Sequence, residues 1–196
     1  MLENSFEINS FLNDQEIELL LKFYDTLPRT LNSGETKKAY TTGFPIETFP
    51  INNFIPRLKN VFGDFDTTVA MFLEEFTPWG VHTDFFKEDN VPYYAVLIPL
   101  DTKDTHTVIF NEQGTDRDWK KKLTADSGHM YTEQQLNLLS HVDNDLLKKL
   151  SVDKVYKWQK GNIIAWHRNL LHSSDNFSMH GLEQKTALVL FLNRDD

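Results

Sequence analysis

Short segments rich in β-branched and aromatic residues follow one another from Thr67 to the end of the chain. The segments are TTVAMFLEEFTPWGVHTDFF, YYAVLIPLD, HTVIFNE, KVYKWQKGNIIAWHR and KTALVLFLN. The turn-forming sequences KEDNVP and DTKD separate the first three segments, and QKGN interrupts the fourth. Short apolar runs with this spacing are typical of an all-β sandwich or barrel. We therefore expect one mainly β domain over residues 1–196.

Two helical regions are expected beside the strands. At the N-terminus, SFEINSFLNDQEIELLLKFYDTL reads as a short strand followed by an amphipathic helix, and Asn13 and Glu16 have the spacing of a capping box. Residues 114–150 are polar and carry a second capping-box pattern at Thr132 and Gln135. This predicts a partly helical insertion, which would serve either as a lid or as a side wall.

Composition excludes several classes of function. The net charge of −9 disfavours a broad nucleic-acid surface, which needs clustered Lys and Arg. The absence of cysteine rules out disulfides, thiolate catalysis and Cys-based metal sites, and it agrees with a reducing cytoplasm. The start of the sequence lacks signal-peptide character, and no apolar run approaches the roughly 20 residues of a membrane span. We expect a cytoplasmic protein with neither nucleic acid nor membrane as a partner.

The stretch TPWGVHTDFF places His82 and Asp84 two residues apart in an apolar and aromatic setting. If residues 76–85 are extended, both side chains point to the same face, because side chains alternate along a strand. Buried polar groups need partners, so a salt bridge, a hydrogen-bond network or a metal ion would have to satisfy them. The His-x-Asp pattern alone does not decide among the three.

A third candidate ligand lies in GNIIAWHRNLLHSSDNF, where a turn at Gly161, a strand and LLHSS follow one another. Two histidines and one carboxylate form the facial triad of non-haem Fe(II) sites, which leaves coordination positions open on one side of the metal. Both His172 and His167 could complete a triad with His82 and Asp84.

VHTD followed by LLHSS resembles the His-x-Asp…His motif of the Fe(II)/2-oxoglutarate-dependent oxygenases. GNIIAWHRNLLHSS is similar to the penultimate core strand of that family, and YYAVLIPLDTKDTHTVIFNE to its central segment. The resemblance implies a double-stranded β-helix (a cupin-like jelly roll), with the N-terminal helix packed outside and the insertion near the mouth. It also implies that His82, Asp84 and His172, rather than His167, are the catalytic metal ligands.

The same resemblance implies Fe(II), 2-oxoglutarate and O₂ as cofactor and co-substrates. Lys185, at the start of the last strand, stands where the family places the cation that binds the distal carboxylate of 2-oxoglutarate. The family often has Arg there, and since Lys is a point charge we expect a supporting hydroxyl from Tyr94 or Thr107. The implied reaction hydroxylates a C–H bond of a small molecule or a peptidyl side chain and releases succinate and CO₂.

Two alternatives share parts of this pattern. A cupin-type isomerase or hydrolase would use the triad without 2-oxoglutarate, and Lys185 would then matter little. In a metal-free binding module, His82 and Asp84 would pair only with each other, and divalent metal ions would not stabilise the fold.

Overall fold

The computed structural model describes residues 3–34, 37–48, 50–84, 92–116 and 118–194. The strands are β1 (Ser5–Ile8), β2 (Thr30–Gly34), β3 (Lys37–Gly43), β4 (Phe65–Glu75), β5 (Pro92–Pro99), β6 (His106–Gln113), β7 (Val152–Lys157), β8 (Ile163–Trp166), β9 (Leu170–Ser174) and β10 (Lys185–Arg194). The helices are α1 (Asp14–Thr26), α2 (Ile55–Phe62), α3 (Trp119–Lys122), α4 (Glu133–Leu138) and α5 (Asn144–Leu147), with 3-10 turns at Ile51–Asn53 and Phe177–His180. None of the described helices has the length and apolar character that crossing a bilayer requires.

The strands form two antiparallel sheets. The larger sheet has the order β1-β8-β5-β10-β4-β3-β2, and the smaller one has the order β7-β6-β9. Strands that are distant in sequence are therefore neighbours in space, as when β10 lies between β4 and β5. The prediction of a mainly β chain with a double-stranded β-helix is confirmed.

Side-chain alternation along β10 separates two apolar cores. Leu188 and Leu190 point to the outer face of the larger sheet, where the core also contains residues of α1 and α2. Val189 and Phe191 point to the space between the two sheets. Lys185 has the same parity as this second group, because every second residue of a strand shares a face. Its ammonium group therefore enters the space between the sheets.

Helix α1 has the capping box that its sequence predicts. The Asn13 side chain accepts from the Glu16 backbone N–H at 3.0 Å, and the Glu16 carboxylate accepts from the Asn13 backbone N–H at 2.9 Å. The helix ends at Thr26, shortly before Pro28. Its buried stripe packs on the larger sheet and consists of Ile17, Leu20 and Tyr24.

The turn before β8 holds the start of α1 in place. Leu12 donates its backbone N–H to the Gly161 carbonyl at 2.9 Å, and Ser10 donates to the Asn162 side chain at 2.8 Å. Gly161 has a φ of +79°, and a Cβ at this position would lie 2.5 Å from the Leu12 carbonyl oxygen. Glycine is thus required here by both the backbone conformation and the close approach.

The insertion is partly helical, as predicted, and its second capping box joins Thr132 to Gln135. Helices α3 and α5, together with the residues that follow α4, share a third apolar core with the smaller sheet. Two residues of this core, Val81 and Leu171, are sequence neighbours of the candidate histidine ligands. The insertion is therefore a side wall that packs against the sequence neighbours of the candidate histidine ligands.

Candidate metal centre

His82, Asp84 and His172 converge at one end of the space between the sheets. The Asp84 carboxylate lies 3.4 Å from Nε2 of His172 and 4.0 Å from Nε2 of His82. One donor atom from each residue lies within 4.8 Å of the other two. Metal bonds of about 2.1 Å at right angles would place neighbouring donors about 3.0 Å apart. Small side-chain rotations would suffice to bring the three donors onto one ion.

A backbone bridge, rather than a regular strand, brings two of these residues together. Strand β4 ends at Glu75, so the described residues 76–84 belong to no regular strand, and Phe85 lies outside the described residues. His82 instead forms a single antiparallel bridge with His172, with N–H···O distances of 2.9 and 3.0 Å. The long-range bridge thus aligns the first ligand with the centre of β9.

Hydrogen bonds on the far side of each imidazole set its tautomer. Nδ1 of His82 lies 2.9 Å from the Gly80 carbonyl oxygen, and Nδ1 of His172 lies 3.1 Å from the Leu170 carbonyl oxygen. A carbonyl oxygen only accepts, so each Nδ1 carries the proton. Both Nε2 lone pairs then face the Asp84 carboxylate, which is the arrangement that a metal ligand needs.

Burial also keeps His82 neutral. Desolvation in the cavity, followed by the nearby His172, lowers the pKa of His82 to about 4, although 32% of its side chain remains exposed. The direction is the important result, because a neutral imidazole binds metal and a protonated one does not. The rings of the two histidines lie 4.2 Å apart, and Trp166 lies 4.7 Å from the His172 ring.

Arg168 fixes the backbone of Asp84. This fully buried arginine donates from Nε and Nη2 to the Asp84 carbonyl oxygen at 3.1 and 2.7 Å. The Asp84 N–H donates in return to the Arg168 carbonyl oxygen at 3.1 Å, and the Thr83 hydroxyl donates to the same oxygen at 2.8 Å. The segment that carries His82 and Asp84 is therefore tied to the loop between β8 and β9.

Lys185 lies in the wall of the same cavity, with only 1% of its surface exposed. Its ammonium group donates to the Ser174 hydroxyl at 2.8 Å and lies 3.3 Å from the Glu75 carboxylate. It also lies 4.2 Å from the centre of the Trp158 ring, where a cation interacts favourably with the aromatic face. The supporting hydroxyl comes from Ser174, two residues beyond His172 on the same face of β9, and the spacing alone could have revealed it.

The two hydroxyl groups expected beside Lys185 have other partners. Tyr94 points to the outer face of the larger sheet, where its hydroxyl donates to the Glu3 carbonyl oxygen at 2.8 Å. Its ring stacks on His167 at 4.5 Å, so His167 also lies away from the cavity. The placement of Tyr94 near Lys185 was therefore wrong. Thr107 does line the cavity, and its hydroxyl accepts from Nε1 of Trp158 at 2.9 Å.

The cavity has a volume of about 50 Å³ and opens to solvent. Its polar lining includes the candidate ligands, the cluster of Lys185, Ser174 and Glu75, and the hydroxyl groups of Thr107 and Ser173. Apolar side chains on the larger sheet make up much of the remaining wall, namely Met71, Leu73, Leu97, Val189 and Phe191. An apolar wall thus lies beside the candidate metal ligands.

Known protein structures include several with a similar architecture. No known family model matches the sequence, and no curated protein matches it significantly. Among solved structures, an oxidoreductase of the 2OG-Fe(II) oxygenase family from Burkholderia pseudomallei has a TM-score of 0.60 and 12% identity, over 98% of this chain and 86% of that one. The fold is that of the 2OG-Fe(II) oxygenases.

Two further solved structures show which reactions and ligands this fold is associated with. The α-ketoglutarate-dependent carbocyclase SnoK from nogalamycin biosynthesis has a TM-score of 0.63 and 13% identity, over 98% of this chain and 80% of that one. HygX from Streptomyces hygroscopicus, with nickel, 2-oxoglutarate and hygromycin B bound, has a TM-score of 0.56 and 10% identity, over 97% and 82%. At these identities the likeness establishes the fold, and the chemistry has to be argued from the side chains.

Proposed function

We propose that this protein is an Fe(II)- and 2-oxoglutarate-dependent oxygenase that oxidises a C–H bond of a small molecule. The observation that carries the proposal is the convergence of His82, Asp84 and His172 in a cavity that also contains the buried ammonium group of Lys185. Two neutral imidazoles and one carboxylate suit Fe(II) and leave part of its coordination sphere open. The cation supplies a contact for an acidic co-substrate.

The residues have separable tasks in this proposal. His82, Asp84 and His172 hold the metal, which when bound supplies the activation of O₂ and the oxidative decarboxylation of 2-oxoglutarate to succinate and CO₂. Each histidine keeps its proton on Nδ1 and donates it to a backbone carbonyl oxygen, that of Gly80 for His82 and that of Leu170 for His172, so the ligands keep their orientation. Lys185 and Ser174 orient the distal end of 2-oxoglutarate, and the surrounding aromatic rings exclude water.

Support for a small-molecule substrate comes from the cavity and from the neighbours. The apolar wall suits an aliphatic or ring carbon of a substrate, and HygX has an organic small molecule bound on the same fold. We propose hydroxylation as the outcome, although SnoK is a carbocyclase with this fold. A candidate metabolite mixture incubated with the iron-loaded protein, 2-oxoglutarate and O₂ should yield succinate and CO₂ together with a product that is heavier by one oxygen atom.

The proposal is tested by adding Fe(II) and 2-oxoglutarate without oxygen and recording the metal-to-ligand charge-transfer band. Wild-type protein should develop the band, and His172→Gln should not. His167→Gln is the matched control, because this histidine lies only a few residues away and stacks on Tyr94 outside the cavity. Absence of the band in the folded wild-type protein would contradict the proposal.

Lys185 separates this function from that of a metal enzyme without 2-oxoglutarate. Lys185→Met removes the charge and retains most of the side-chain volume. We expect it to bind Fe(II) normally and to lose most of its affinity for 2-oxoglutarate. Equal 2-oxoglutarate binding by this variant and the wild type would favour the cupin-type alternative. If Fe(II) gave no thermal stabilisation of the wild type, the chain would instead be a metal-free binding module.

A further inference from the structure

Glu75 and Lys185 are direct cross-strand partners in the pairing of β4 with β10. Both side chains point into the cavity, and both are buried, with 5% and 1% of their surfaces exposed. The carboxylate lies 3.3 Å from the ammonium group and also accepts from the Ser174 hydroxyl at 3.4 Å. The cation that the proposed function assigns to 2-oxoglutarate therefore already has an anionic partner from the protein itself.

This pairing changes the charge balance of the cavity. Lys185 is the only Lys or Arg among the described residues that line it, and Glu75 cancels its charge. A divalent metal bound by Asp84 would keep one positive charge, which the first carboxylate of 2-oxoglutarate would neutralise. The second carboxylate would then add a negative charge close to Glu75. Like charges brought together in a desolvated site are unfavourable.

We propose that Glu75 is a specificity-determining residue for the co-substrate. It holds the Lys185 ammonium group while the site is empty, and it weakens the binding of any 2-oxo acid that has a carboxylate at its distal end. A distal amide, which donates hydrogen bonds, is tolerated beside the Glu75 carboxylate. This inference rests on the proposed function, and it goes further by naming the residue that sets both the affinity and the selectivity at the Lys185 end.

The neighbouring residue provides a control for the effects of losing a buried charge. Glu74 is also buried, but it faces the other side of β4, where it accepts from the Tyr24 hydroxyl at 2.9 Å and lies 3.5 Å from Arg29. Glu74→Gln therefore removes a buried carboxylate with a cationic partner on the opposite face of the same strand. It should lower the stability of the protein without changing the cavity.

The experiment is calorimetric titration of 2-oxoglutarate into Mn(II)-loaded protein, in which the metal is bound and turnover is avoided. We expect the dissociation constant of Glu75→Gln to be at least about tenfold lower than that of the wild type, because like-charge contact costs more than the roughly 1.4 kcal/mol of one factor of ten. Glu74→Gln should bind 2-oxoglutarate as the wild type does. Thermal unfolding should show both variants destabilised without ligand, and only Glu75→Gln should gain more stability from 2-oxoglutarate than the wild type.

Each outcome has a distinct meaning. Equal or weaker binding by a folded Glu75→Gln protein overturns the inference and leaves the proposed function intact. Absence of 2-oxoglutarate binding in all three proteins refutes the proposed function itself. If Glu75→Gln does not fold, the wild type is titrated with 2-oxoglutaramate, in which an amide replaces the distal carboxylate. Binding within about threefold of that of 2-oxoglutarate supports the inference, and a larger loss overturns it.

Discussion

Replacing Arg168 by Met should lower the metal affinity of the protein more than its free energy of unfolding. The guanidinium group donates twice to the Asp84 carbonyl oxygen and lies 4.2 Å from the centre of the Phe191 ring. A hydrogen bond from a charged group contributes about 1.5–3 kcal/mol, and a desolvated cation–π contact about 2 kcal/mol. Removing a buried charge also relieves its desolvation cost, so we expect a net loss of about 2 kcal/mol in the free energy of unfolding.

The larger effect should be on metal binding. Groups that orient a metal ligand without touching the metal change the affinity by about 10- to 100-fold. We therefore expect Arg168→Met to bind Mn(II) at least about tenfold more weakly than the wild type, measured by calorimetry on folded protein without oxygen. Arg168→Lys retains the charge and loses the planar pair of donors, so its affinity should be intermediate.

Arg57 supplies the control for losing an arginine that binds a backbone carbonyl. Its guanidinium group donates to the Phe11 carbonyl oxygen at 3.0 Å and lies 5.0 Å from the Phe11 ring, away from the cavity. Arg57→Met should reduce the stability and leave the Mn(II) affinity unchanged. If Arg168→Met folds and binds Mn(II) as tightly as the wild type, the argument that Arg168 positions Asp84 is refuted.

Two further predictions concern the scaffold, and urea unfolding tests both. Gly161→Ala should lower the free energy of unfolding by more than about 2 kcal/mol. The strain of a left-handed backbone adds to the overlap of the new Cβ with the Leu12 carbonyl oxygen. Gly181→Ala, with a φ of +77° and open space around it, should cost only about 1 kcal/mol, and equal losses would contradict the argument from close approach. Thr107→Val should cost about 1–3 kcal/mol, because the buried indole N–H of Trp158 loses its acceptor, whereas Thr107→Ser should remain near the wild type. A Val variant as stable as the Ser variant would show that this hydrogen bond contributes nothing.

Local signals in the sequence were sufficient for α1, for the helical character of the insertion and for most strands from β4 onwards, whereas α2 and the pair β2 and β3 were not predicted. The capping boxes that begin at Asn13 and Thr132 involve residues only three apart, so the sequence contains all the information that they need. The convergence of His82, Asp84 and His172 followed from the motif, although its structural basis differs from the one expected. The first two lie in an irregular segment, and the bridge to β9 that aligns them is a long-range pairing.

The environment of Lys185 was harder to predict, because it depends on which face of each strand points inwards. Strand β5 is apolar on both faces, with Val96 directed outwards and Leu97 inwards, since helices cover one side of the sheet and the smaller sheet covers the other. Nothing in its pattern therefore distinguishes the face of Tyr94 from the inner face. Predicting that Glu75 lies beside Lys185 requires the register between β4 and β10, and neither strand sequence alone contains that register.

The third apolar core makes the segment between β6 and β7 important for any shortened version of this chain. Val81 and Leu171, the immediate neighbours of His82 and His172, are anchored among side chains of the segment between β6 and β7. Excising that segment to obtain a minimal barrel would expose the apolar side of both backbone segments that present the imidazoles, the irregular one at His82 and strand β9 at His172. Redesign of its buried positions, by contrast, offers a remote means of adjusting the spacing of the two rings without altering any residue that lines the cavity.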